Sequence, residues 1–259
     1  MSENRDKYVS AYIAEFYDLT ETGSDDVDFI MRLIGNKSCI KILEPFCGTG
    51  RILLPLAQAG HQLVGIDWST AMLDRCRKKM ELLEEATKER INLITADAVK
   101  SEWPKGFDLV ILGGNCFYEL GLPEEQETCI CQAASALKPG GYVYIENDNM
   151  EGELPESWQK LGPEKGWPTG TCSDGTKLET IVETSWTDSQ KNLWRARRTV
   201  KVLFANGQTS EYSCEVQTHP CSAIEVKTWL LKYGFKIVGM YSNSKGEAYY
   251  PNCPRAIFG

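Results

Sequence analysis

Residues 41–57 read KILEPFCGTGRILLPLA: a short apolar run, an acid, a knot of small residues, then an apolar run at helical spacing. That strand–loop–helix unit constrains the fold most, because the same rhythm continues down the chain. IKILE (40–44), QLVGID (62–67), NLITAD (92–97), FDLVILG (107–113) and GYVYIEN (141–147) read as buried strands. Between them, RILLPLAQAG (51–60), STAMLDRCRKKMELLEEATK (69–88) and PEEQETCICQAASALKPGG (123–141) have helical periodicity. Ser69 or Thr70 is placed to cap the second helix, and Pro139-Gly140-Gly141 to stop the last. Strands alternating with helices imply a parallel sheet in a doubly wound α/β fold.

The rhythm breaks over 151–220. After a connector rich in Pro, Gly and Trp, TKLETIVETSW (176–186), LWRARRTVKVLF (193–204) and TSEYSCEVQT (209–218) read as three strands, with Asn206-Gly207 as a hairpin signal. This predicts an antiparallel lid inserted at 151–220 into a core of 1–150 and 221–259. The core resumes with helix SAIEVKTWLLKYG (222–234), strand FKIVGMYSN (235–243) and terminal strand RAIFG (255–259).

Composition narrows the function. The chain has 259 residues and a net charge of −8, which disfavours a protein built to grip nucleic acid. RARR at 195–198 alternates along a strand, Arg195 and Arg197 on one face and Arg198 on the other, and makes no basic groove. No apolar run approaches a membrane span, and MSENRDKYVS lacks the apolar region of a secretory signal, so a cytoplasmic protein is expected. Ten cysteines without any C-x-x-C then read as free thiols, and with only two histidines no metal site is expected.

A dinucleotide loop wants G-x-G-x-x-G, but Leu53 stands where the third glycine belongs after Gly48 and Gly50. Glu44 at the strand end would oppose a pyrophosphate, yet it suits a ligand with an ammonium group and no phosphate. S-adenosylmethionine (SAM) is such a ligand. Asp67 ends the second strand, where it can accept both ribose hydroxyls. Asp97 is placed for the adenine amino group, Ala98 to offer its backbone N–H, and Trp68 and Met72 to pack on the adenine faces or to serve as core. Arg51 either pairs with the methionine carboxylate or lies on the helix surface.

These stretches resemble the class I SAM-dependent methyltransferases, from ILEPFCGTG through VGIDWSTAML, LITADA and FDLVILGGN to LKPGGYVYIEN. The resemblance implies a Rossmann-like three-layer sandwich, a seven-stranded, mostly parallel sheet with its final strand antiparallel, and SAM as cofactor. It adds Phe46 and Gly113 to the cofactor contacts. In YVSAYIAEFYDL, with tyrosines at 8, 12 and 17, it implies an N-terminal helix whose Tyr17-Asp18 pair folds over the cofactor, with Tyr12 as a substrate contact; the alternative is an aromatic stripe that packs on the core.

The acceptor is expected where strands four and five end. GGNCFYEL (113–120) lacks the prolines of base-methylating enzymes and the acid of metal-dependent O-methyltransferases. It resembles the glycine/sarcosine N-methyltransferase branch, whose substrate-contacting asparagine falls on Asn115, with Phe117 close by. That branch has arginine after strand five where IENDN places Asp148, an acid that suits a cationic acceptor rather than a carboxylate. Trp194 and Tyr212 of the lid are candidate acceptor contacts. The expected function is methyl transfer to a small molecule, at an amine nitrogen in preference to oxygen. The alternatives are an O-methyltransferase, a nicotinamide-dependent dehydrogenase and a SAM-binding protein without catalysis.

Overall fold

The computed structural model describes residues 7–151, 160–188 and 191–259, with side chains from Ala11 onward; the side chain of Tyr8 and most of the connector after residue 151 lie outside this set. The chain forms two compact units, one of Gly23–Gly152 with His219–Gly259, the other of Met1–Thr22 with Glu153–Thr218.

The larger unit runs α2 (Asp25–Ile34), β1 (Lys41–Pro45), α3 (Leu53–Gln58), β2 (Gln62–Asp67), α4 (Thr70–Met80), α5 (Glu85–Lys88), β3 (Ile91–Thr95), β4 (Phe107–Leu112), α6 (Pro123–Ala136) and β5 (Leu137–Asp148). After the second unit it resumes with α7 (Ala223–Lys232), β10 (Met240–Tyr241) and β11 (Arg255–Phe258). The seven strands lie in the order β10-β11-β5-β4-β1-β2-β3. All pairings are parallel except those of β11 with β10 and β5. This is the mostly parallel sheet with an antiparallel final strand that the sequence implies.

Side chains along each strand alternate between two cores. Leu43, Val64, Val110 and Ile145 pack with Ile130 of α6 and Val226 of α7. Ile42, Leu63, Ile111 and Tyr144 pack on the other face with Ile30 of α2, Leu53 of α3 and Leu73 of α4. Leu53 seats against Gly65 of β2, where an added Cβ would fall 2.5 Å from its Cδ1. The close helix–strand contact that a third loop glycine would give is here supplied by a glycine on the strand.

Four local readings differ. Residues 69–88 form two helices, because Glu84 turns extended and Leu82 is left 87% exposed, so no apolar stripe continues through the break. α6 ends at Ala136 rather than at the Pro-Gly-Gly run, which lies within β5; Leu137 is already extended, ahead of Lys138 and Pro139. FKIVGMYSN contributes only Met240–Tyr241 to the sheet, as an edge strand. α2, whose Asp25, Asp26 and Asp28 fill its first turn, is an amphipathic helix absent from the sequence reading.

The second unit joins α1 (Lys7–Thr20) to an antiparallel sheet of β6 (Gly162–Thr171), β7 (Lys177–Asp188), β8 (Leu193–Leu203) and β9 (Thr209–Thr218), in sequential order. α1 therefore groups with this sheet. Glycines and Pro168 hide the periodicity of β6, which lies where the sequence predicts a connector; as an edge strand, with its register shifting between Gly166 and Gly170, it accommodates them. Phe16 packs onto Gly170, where a Cβ would lie 2.4 Å from its ring, and joins Leu178, Val200 and Val202 in this unit's own core.

Candidate active site

The ends of β1, β2, β4 and β5 bring most of the expected residues of the larger unit to one edge of the sheet. The turn after β1 is wound tightly, with positive φ at Phe46 (63°), Gly48 (54°) and Gly50 (78°). Gly50 has no room for a side chain, since a Cβ would lie 2.6 Å from Cys76 Sγ. Gly48 faces open space, so its backbone is free to be approached closely.

Asp67 organises this turn. Its Oδ2 accepts from the Gly48 N–H (2.8 Å) and its Oδ1 from the Ser69 N–H (2.8 Å). Burial raises its pKa, while those backbone donors pull it down. Glu44 is 5% exposed, and its Oε2 is buried without a hydrogen-bond partner. Burial, opposed by Arg51 and reinforced by Asp26 and Asp67, pushes its carboxyl well above the ordinary range. A buried acceptor with nothing to accept from is costly, and here it stands beside open backbone. An ammonium group is the chemistry that would satisfy it, so these residues fit SAM.

Arg51 does not lie free on the helix surface. Its guanidinium grips Asp26 of α2 with two bonds (2.8 and 2.6 Å) and donates to the Gly23 carbonyl (2.9 Å). Asp26 is thus a residue that the sequence reading missed; its signal was the acidic first turn of an unrecognised helix. Trp68 is 51% exposed and Met72 half-buried, its N–H on the Ser69 cap, so neither belongs to the core. Asp97 accepts from the Val99 N–H (3.0 Å) and pairs with Lys100 (3.0 Å). Ala98 is buried, its carbonyl accepting from the Trp103 indole (2.7 Å). Gly113 follows β4, where a Cβ would press on Ile52 at 2.8 Å.

Asn115, in the left-handed region at φ 63°, exchanges two hydrogen bonds with Asp148: its Nδ2 donates to Asp148 Oδ2 (2.8 Å) and its Oδ1 accepts from the Asp148 N–H (2.7 Å). The asparagine thereby orients the aspartate and ties the end of β4 to β5. Phe117 is a correction. Its ring is fully buried against Trp229 at 6.2 Å, in the core and not at an acceptor. The neighbouring Tyr118 feels the Asp148 charge, and burial pushes its hydroxyl pKa up.

The remaining candidates belong to the second unit. Tyr12 donates to Asp174 (3.0 Å) and meets Phe204 edge-on, and Tyr17 meets Trp167 edge-on at 6.3 Å. Trp194, bonded to Thr184 Oγ1 (3.1 Å), and Tyr212 lie on the face of β8 and β9 that also carries Ala196 and Val200. Arg195 and Arg197 are engaged outside, on Gln217 (2.7 Å) and Glu215 (3.2 Å). Arg198 shares the face of Trp194 and Tyr212, and its buried Nε has no hydrogen-bond partner.

Residues 42–141 match the family model described as a methyltransferase domain. The chain is 33% identical over 109 residues to a ubiquinone biosynthesis O-methyltransferase of Stutzerimonas stutzeri (strain A1501), covering 42% of this chain and 44% of that protein. It is 24% identical over 212 residues to a cypemycin N-terminal methyltransferase of Streptomyces sp, covering 80% and 77%. It is 28% identical over 135 residues to the glycine N-methyltransferase of Rattus norvegicus, covering 48% and 45%. The matches to the first and third thus span less than half the length of those relatives. A SAM-dependent methyltransferase from Clostridium acetobutylicum ATCC 824 shares the fold at TM-score 0.72 and 15% identity, covering 95% of this chain and 96% of that one. The sugar N-methyltransferase KedS8 from Streptoalloteichus sp ATCC 53650 shares it at TM-score 0.66 and 16% identity, covering 94% and 90%. The domain match lies on the same strand ends as the glycine turn, Glu44 and Asp67, so residues 42–141 are similar to a methyltransferase domain and the fold is that of a SAM-dependent methyltransferase of known structure.

Proposed function

We propose that this protein methylates a small molecule at an amine nitrogen, and that the acceptor carries a second cationic or polar group held by Asp148. The observation that carries the reading is the buried Glu44 carboxyl, whose Oε2 has no hydrogen-bond partner, at the strand end that leads into the open turn at Gly48. Glu44 would accept from the cofactor's ammonium, Asp67 from its ribose hydroxyls and Asp97 from its adenine amino group, while the Ala98 N–H would donate to an adenine ring nitrogen. SAM, when bound, supplies an electrophilic methyl group on a sulfonium. The chain's own work is placement and exclusion of water, because an in-line displacement by a neutral amine needs no dedicated base.

Preference for nitrogen is supported by the relatives, among them an N-terminal methyltransferase similar over most of its length and a sugar N-methyltransferase of the same fold. Asp148 supports a cationic acceptor. It is exposed at the end of β5, and Asn115 fixes its orientation. An acid so held binds an ammonium or donor group, but it would resist deprotonation of an amine it touched directly. Asp148 therefore suits the acceptor's second group, and activity should rise with pH as the reacting amine loses its proton.

Methyl-labelled SAM offered with an amino sugar, a diamine, a peptide with a free N-terminus, glycine and a catechol tests this, with the labelled product identified by mass spectrometry. Label on nitrogen of a dibasic or hydroxylated amine is expected; label on the catechol oxygen alone would overturn it. Asp148→Asn keeps the pairing with Asn115 through an amide flip while removing the charge. It should raise KM for the acceptor about 5- to 10-fold and spare SAM affinity. An unchanged KM would release Asp148 from this role.

A further inference from the structure

The larger unit contains a cavity of about 490 Å³ at the edge of its sheet opposite the glycine turn, where β4 and β5 begin. Ligands of open α/β sheets bind at the carboxyl ends of the strands, so this space lies outside the candidate active site. Its floor and walls are apolar: Ile30, Leu33 and Ile34 of α2, then Ile40, Leu109 and Tyr144. Leu33, Tyr142 and Val238 at the mouth are 40%, 47% and 69% exposed.

The charges around the opening are unequal. Asp108 is already satisfied: its Oδ1 accepts from Lys138 Nζ (2.7 Å) and its Oδ2 from the Lys41 N–H (2.8 Å). Those donors hold its carboxyl below the usual range. Lys37 has no ion pair among the described residues; its ammonium sits 4.5 Å from the centre of the Tyr142 ring. Lys37 adds a weaker electrostatic pull on Asp108, so the side chains of the rim set two ammonium groups against one carboxylate that both lysines share.

We propose that this cavity binds an amphipathic monoanion, its apolar body against α2 and β4 and its carboxylate on Lys37. The volume lies within the range of small-molecule pockets, and apolar walls with one placed charge are their usual composition. The lysine already rests on an aromatic face, so an incoming carboxylate gains a partly ordered partner at low entropic cost. A cation of the same length meets repulsion from Lys37 and Lys138. A second copy of the chain would have to spread over far more surface than this concavity offers, about 800 Å² per partner in a stable interface.

Titration calorimetry of the full chain with octanoate, octylammonium and 1-octanol tests the site. Octanoate should bind one to one, 1-octanol at least about tenfold more weakly, and octylammonium not measurably. Lys37→Gln should weaken octanoate about tenfold, the loss of one charge-assisted hydrogen bond, and leave 1-octanol unchanged. Leu33→Trp, at a position 40% exposed and so tolerant of bulk, should fill the mouth and abolish binding of both. Thermal unfolding of each variant confirms that it folds. Equal affinity for the three probes, or an octanoate affinity indifferent to Lys37→Gln, would overturn the proposal. So would a dimer, seen by light scattering, that octanoate dissociates, since the face would then belong to a second copy.

Discussion

The turn after β1 and the hairpin between β8 and β9 both depend on positive φ, yet they solve the problem in opposite ways. In the hairpin, Gly207 sits at φ 85° with nothing near its missing Cβ, and Asn206 Oδ1 accepts from the Gln208 N–H (3.0 Å). Everything polar there is settled locally. After β1, Phe46, Gly48 and Gly50 adopt left-handed φ, Gly50 is wedged against Cys76, and Glu44 Oε2 is buried without a hydrogen-bond partner. The fold holds that turn in place at a cost, and such uncompensated cost concentrates at functional sites. The hairpin is a connection; the turn is where we propose the cofactor binds.

The largest effect that would sharpen this contrast comes from paired glycine substitutions. Gly50→Ala meets both an unfavourable φ and a blocked Cβ and should cost about 3–4 kcal/mol of stability, whereas Gly207→Ala meets only the φ penalty of about 1–2 kcal/mol. Urea unfolding midpoints with unchanged slopes measure both, and equal losses would erase the distinction between the two turns. Next in size is Asp67→Ala. It should weaken S-adenosylhomocysteine binding by about 1.5–3 kcal/mol in a folded protein, through lost charge-assisted hydrogen bonds and a loosened Gly48 N–H. Unchanged affinity would place the cofactor elsewhere.

Glu44→Gln tests whether the strain serves binding. Burial raises the Glu44 pKa, so the folded state holds that proton more tightly than the unfolded chain. Its contribution is therefore fully present below the ordinary carboxylate pKa and is lost as pH climbs through the raised folded value. The glutamine variant should lack this decline and melt higher than the parent at pH 7–8, while binding SAM about tenfold more weakly. In the parent, SAM binding should release a proton and tighten with rising pH, which calorimetry in buffers of different ionisation enthalpy would detect. A glutamine variant that melts lower would mean that Glu44 is ionised and satisfied. The smallest effect belongs to the four-stranded sheet: Arg197→Gln, breaking an exposed pair with Glu215, should shift stability by less than about 0.5 kcal/mol.

The residues that could be read in advance share one property: their position depends only on the local strand–turn–helix pattern. Glu44, Gly48, Gly50, Asp67 and the start of α4 at Ser69 follow from period-two strands, a glycine turn and a cap, all within a few residues of one another. Asp26 was not legible, because its role rests on a bidentate contact with Arg51, 25 positions away. Asn115 was read as a residue for the acceptor, and its reciprocal bonds to Asp148 exist only because β4 and β5 are neighbours in the sheet. Phe117 and Tyr118 are adjacent aromatics, and nothing local to GGNCFYEL says which of them enters the core.

By itself, then, the sequence determined the alternation of strands and helices, the sheet they build and the glycine turn with the acids that flank it, because hydrophobic periodicity and turn residues act over a few positions. The tertiary structure alone decided that α1 groups with the four-stranded sheet, that β6 exists as its edge, that Arg51 grips Asp26, and that a cavity with Lys37 resting on Tyr142 opens at the far edge of the larger unit. Each of those depends on which surfaces meet across long stretches of chain, and packing at that range is a property of the assembled fold that no short window of residues encodes.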